Sequence, residues 1–162
     1  MRLCALLKNR IIKNILSALA VAFFGFILLN LTFMFDWLFQ SVIRALFRLF
    51  TPVDVVIAYS WFPPMMHFLF VILIGVISWL VFRSKLRVLY KAIYMMVPLA
   101  VVFVTLGMFL YQWPIAAYSA GILFGIGVLY YFYRTKQPWL YYYTVILVGL
   151  TLAVFSLLGG EI

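Results

Sequence analysis

The chain has 162 residues, 69% of them hydrophobic and 9% charged. A soluble domain carries about a quarter charged residues, so this inventory cannot build a water-solvated surface, and lipid must be the solvent for most of it. Twelve Lys and Arg against three Asp and Glu leave a net charge of +9. The cations stand in short clusters beside apolar runs, the pattern of a topology signal with attraction to anionic lipid, and nucleic acid is not an expected partner.

Taken in order, Met1 to Asn14 carries Arg2, Lys8, Arg10 and Lys13 with no acid, ahead of an apolar run from Ile15 to Phe35. No small-x-small cleavage pattern follows that run, which predicts an uncleaved first span leaving the cytoplasm. Cys4, the single cysteine, has no partner for an intramolecular disulfide. Asp36, Gln40, Arg44 and Arg48 then recur every fourth residue among bulky apolar groups. That period puts the polar residues on one helical stripe. It suits a short amphipathic helix lying in the outer interface, separate from the first span, and equally a connector helix packed on the bundle. Thr51-Pro52-Val53-Asp54 reads as a further helix start, so the whole interfacial segment covers about 36–62.

A second span is predicted from Pro64 to Phe82, after the entry Trp61-Phe62-Pro63-Pro64. It ends in Arg83, Lys85, Arg87 and Lys91, four cations with no acid. The third runs from about Ala92 to Tyr111 with Pro98 inside it, the fourth from Ile115 to Tyr133, and the fifth from Trp139 to Leu158. Arg134 and Lys136 fall in the turn between the last two. With the N-terminus inside, basic residues concentrate on one side at every crossing, while Asp36, Asp54 and Glu161 all fall outside. The expected class is therefore an all-α integral membrane protein, a five-helix transmembrane bundle in a single domain. Its expected location is a bacterial or archaeal cytoplasmic membrane, C-terminus outside.

Three residue sets stand out. Ala117, Gly121 and Gly125 repeat every fourth residue of the fourth span and let another helix approach closely. Asp36, Gln40, Arg44, Arg48, Asp54 and His67 form a candidate polar, lipid-facing site at the outer surface. Within it the only histidine of the chain can pair with Asp36 or Asp54 to make a proton-responsive group. Arg83, Lys85, Arg87, Lys91, Arg134 and Lys136 are candidate contacts for anionic lipid on the cytoplasmic side. No nucleophile with a base, no paired carboxylates and no phosphate-binding or metal-ligand spacing is present, so no enzyme activity, cofactor or metal is expected.

Five spans, this length and Trp61-Phe62-Pro63-Pro64 before the second span resemble the tryptophan-rich sensory (translocator) protein family. The tryptophan and asparagine signatures of that family's third and fifth helices have no counterpart; Gln112-Trp113-Pro114 is the nearest, and no site residue carries over. The reading that fits the residues best is a non-catalytic subunit or accessory factor of a membrane complex, with other membrane subunits or copies of itself as partners. One alternative is a small oligomeric transporter or pore for an apolar or amphipathic solute, lined by Ser78, Thr105, Ser119 and Thr151. Another is a membrane-surface sensor.

Overall fold

The computed structural model describes residues 2–50 and 62–157, with side chains for 11–50 and 64–154. Five helices follow one another: α1 (Arg2–Phe50), α2 (Phe62–Arg83), α3 (Val88–Phe109), α4 (Pro114–Arg134) and α5 (Trp139–Leu157). Four of them, α1 to α4, are long and apolar enough to cross a membrane; α5 is apolar and slightly shorter. The connections Ser84–Arg87, Leu110–Trp113 and Thr135–Pro138 are short, which forces α2 to α5 to run alternately up and down. Both basic connections therefore share one end of the bundle.

α3 is the central helix and packs against all four others. Its residues Ala92, Met96, Val97 and Ala100 are almost wholly enclosed, because small and flexible side chains let four neighbours close on one helix. One apolar cluster joins Val21 of α1 and Ala92, Met96 and Leu99 of α3 to Val145 and Val148 of α5. A second joins Phe70 and Ile74 of α2 to Val97 and Val101 of α3, with Leu28 and Phe39 of α1 alongside. Thr144, fully buried, lies 2.9 Å from the Leu140 carbonyl of its own helix and 3.3 Å from the Ala92 carbonyl across the interface.

α1 corrects one expectation. The predicted separate amphipathic helix beginning at Asp36 is absent; a single helix of 49 residues runs through that point. Nothing between Gly25 and Pro52 breaks a helix, and the polar side chains along it bond within their own turns. Ser17, Asn30, Thr32 and Ser41 each donate to the carbonyl four residues back at 2.8–2.9 Å, which spares apolar surroundings an unpaired donor. Val21, Gly25, Leu28, Thr32, Asp36 and Phe39, three or four residues apart, form the stripe that faces the bundle.

That stripe is shorter than the helix. Among the described side chains, 11–50, which cover about 60 Å of its roughly 73 Å, the packed stripe runs from Ser17 to Gln40, about 35 Å of axis. Ile11 to Leu16 and Arg44 to Phe50 are exposed throughout. Thr51 to Trp61, including Asp54 and the proposed helix start, lie outside the described residues.

Candidate functional site

At the end of the bundle opposite the basic connections, three helices bring four polar side chains together. Asp36 and Gln40 come from α1, one turn apart on the packed stripe. His67 comes from the second turn of α2, and Thr105 from the last turn but one of α3. Among the described residues Asp36 is the only carboxylate, and it sits beside the chain's only imidazole. His67 is 6% exposed. Residues of this kind are rarely so enclosed unless their polar atoms are partnered.

The partners assign the ring's protons. The Thr105 hydroxyl lies 2.6 Å from the Val101 carbonyl and 3.0 Å from His67 Nε2. A carbonyl only accepts, so the single hydroxyl proton goes to Val101 and the Thr105 oxygen must accept from His67. Nε2 therefore carries a proton. Nδ1 then faces Asp36 Oδ2 at 3.9 Å, beyond hydrogen-bond reach. The carboxylate is held in place by Gln40, whose Nε2 lies 3.0 Å from both of its oxygens.

Chemically, the arrangement leaves one bond unmade, between Nδ1 and the carboxylate. In the neutral ring Nδ1 presents a lone pair to an anion. Adding a proton turns Nδ1 into a donor facing that anion, and a movement of about 1 Å would complete a charge-assisted bond. The groups that face His67 from its neighbours are Asp36 from α1 and the uncharged Thr105 from α3.

The other residues singled out in the sequence fall elsewhere. Arg44 is exposed and turns back to its own helix, its Nε 3.2 Å from the Gln40 carbonyl; Arg48 is exposed one turn further. Neither joins the His67 group, and Asp54 lies outside the described residues. Gly121 and Gly125 meet the ring of Phe103, which would stand 3.6 and 3.9 Å from a Cβ added at each. With Ala117 they line an apolar groove of about 380 Å³ between α4 and α5. Arg83 lies over the ring of Trp79 at 5.1 Å, and Lys91 Nζ bonds the Phe82 carbonyl at 2.7 Å, closing the end of α2.

The four hydroxyls proposed to line a pore engage four different partners. Ser78 meets the Tyr94 hydroxyl at 3.1 Å, Thr105 meets His67, and Ser119 and Thr151 bond carbonyls of their own helices. Thr105 joins the His67 group, an association the sequence does not suggest. The signal that would have placed it is the level shared by His67 near the start of one span and Thr105 near the end of the next. Comparison with protein-family models, curated proteins and solved structures finds no match.

Proposed function

We propose that this chain crosses the bilayer as a five-helix bundle, basic end in the cytoplasm, and serves as a non-catalytic subunit or accessory factor of a membrane complex, with α1 as its attachment. The observation that carries this reading is the overhang of α1. A hydrocarbon layer of about 30 Å is already spanned by the packed part of that helix. Ser41 to Phe50 adds about 15 Å beyond it, and there Val42, Leu46, Leu49 and Phe50 are 50–86% exposed. These exposed large apolar groups past the bundle, in a segment whose polar residues are Ser41, Arg44 and Arg48, favour cover by another protein.

The test is to extract the tagged chain from its native membrane in mild detergent and measure mass and co-purifying proteins. A stoichiometric partner is expected, and its recovery should fall when Leu46 and Leu49 are both replaced by Ser. A homogeneous monomer without any partner, unchanged by the double substitution, would sink the reading.

One observation favours a second reading, a membrane-surface sensor: the gap between His67 and Asp36. Protonating His67 would draw α1 and α2 together at the outer end. Spin labels at the outer ends of the two helices should then report a shorter distance at pH 5 than at pH 8, and no change in the Asp36→Asn variant. Identical distances at both pH values in the unmodified chain would remove it.

A further inference from the structure

We infer that the groove between α2, α3 and α4 at the basic end holds one anionic phospholipid, its phosphate on Lys91 and one acyl chain running along α3. The inference rests on the membrane-spanning orientation proposed above. The groove has a volume of about 470 Å³, within the range of roughly 300–1,000 Å³ usual for ligand sites.

Its polar groups gather at one mouth. Lys91, Gln137 and Tyr141 stand there, and Pro98, Leu99, Val102 and Phe124 continue the lining inward. Lys91 Nζ spends one of its three donors on the Phe82 carbonyl at 2.7 Å, which fixes the ammonium at the rim with two donors left. Gln137 is turned to the same rim by the end of α4. There Lys136 adopts φ 50°, and the Gln137 and Lys136 amides bond the Phe132 and Tyr133 carbonyls at 3.0 and 3.2 Å, the bond pair of a Schellman ending.

Tyr141 supplies the independent observation. It is 8% exposed, yet its hydroxyl has no hydrogen-bond partner among the described residues. No enclosed side-chain oxygen or nitrogen among them is left unbonded, so this hydroxyl is accessible, and Tyr141 lines the groove. An accessible, unbonded hydroxyl on a largely buried tyrosine, beside an anchored ammonium and an unbonded amide, is a donor set for a phosphate.

The dimensions select a lipid over a soluble anion. From Lys91 to Val102 α3 rises about 16 Å, half of a hydrocarbon layer of about 30 Å. A chain whose headgroup sits at Lys91 would thus end at the bilayer midplane, as a lipid of that leaflet does. A free phosphate has no use for the apolar part.

The test is native mass spectrometry of the full chain in detergent, titrated with dioleoylphosphatidylglycerol or dioleoylphosphatidylcholine. One phosphatidylglycerol should be retained, about tenfold more tightly than phosphatidylcholine, the scale of one charge-assisted hydrogen bond. Lys91→Gln and Tyr141→Phe should each weaken retention about tenfold, and Val102→Trp, which fills the groove, should displace the lipid. Lys13→Gln removes the same charge at the same end on α1, away from the groove, and should change nothing. Equal retention of the two lipids, equal loss in Lys13→Gln and Lys91→Gln, or full retention in Tyr141→Phe would each overturn the site. A photo-crosslinker at position 102 that captures protein in native membranes would do so too. Orientation is read separately by labelling Ser84→Cys and Gln112→Cys, and the subunit reading by partner recovery, which these groove variants should leave unchanged.

Discussion

Thr105 decides which nitrogen of His67 is protonated. Its hydroxyl gives its only proton to the Val101 carbonyl at 2.6 Å, so the contact of 3.0 Å with Nε2 is a bond donated by the ring. The ¹⁵N shifts of the single histidine at pH 8 should therefore show the Nε2–H form. Thr105→Val removes the acceptor while keeping the shape, and leaves a buried N–H unpaired at a cost of about 1–3 kcal/mol. A lower Tm in that variant and a mixed tautomer signal are expected. An Nδ1–H signal in the unmodified protein would contradict the assignment.

Asp36 faces the nitrogen that Thr105 leaves bare. At pH 8 a carboxylate oxygen and an imidazole lone pair oppose each other across 3.9 Å, an arrangement without a bond. In Asp36→Asn the amide supplies a donor, and Gln40 can rotate its own amide to match. The variant should be more stable than the parent at pH 8 by about 1 kcal/mol, a Tm rise of about 3 °C for a chain of this size. Thermal unfolding of the two proteins at pH 8, followed by circular dichroism, reads the difference, and a lower Tm in Asp36→Asn would contradict it.

Much of this architecture was legible because apolar run length and basic clusters report directly on helices and their ends. Pro64 to Phe82, followed by four cations, anticipates α2 to within a turn of its observed bounds, Phe62–Arg83. The misreading lay at Asp36. Its period of four with Gln40, Arg44 and Arg48 is real, yet a polar stripe in an apolar protein is as well suited to facing a polar partner as to facing water. Carried back along α1, the same stripe runs through Thr32, Leu28, Gly25 and Val21, the small and apolar positions that meet α3. Asp36 accordingly faces His67 and Gln40 bonds Asp36, while Arg44 and Arg48 overhang the bundle. What no single-chain pattern reveals is the height of one helix against another, and that height is what joins residues 36, 67 and 105.

Lys136 stands in a left-handed conformation, φ 50°, where a side chain costs about 1 kcal/mol relative to glycine. The turn leaves no room to escape, since the amides at 136 and 137 both close the end of α4. Lys136→Gly should therefore raise the Tm by about 3 °C with helicity unchanged. A lower Tm would mean that the lysine charge at this end contributes more than the backbone strain takes away.

Gly25 is where α1 gives way to α3. A Cβ at this position would collide with the Sδ of Met96, whose side chain occupies the gap, and both residues are buried. Gly25→Ala asks only that a flexible thioether shift, and replacing a mid-helix glycine returns about 0.5–1 kcal/mol of backbone entropy; its stability should stay near that of the parent. Gly25→Leu has no such remedy. Overpacking there should destabilise by about 1–3 kcal/mol, with α1 pushed off α3 and the Asp36–His67 level disturbed. Met96→Ala leaves a cavity at the same place and should be destabilising by itself, by about 2–5 kcal/mol. The double variant Gly25→Leu with Met96→Ala refills that cavity from the other helix, so it should be more stable than either single change. Denaturation of the four proteins in the same detergent measures the coupling. Additive losses would show that the two residues do not share the space.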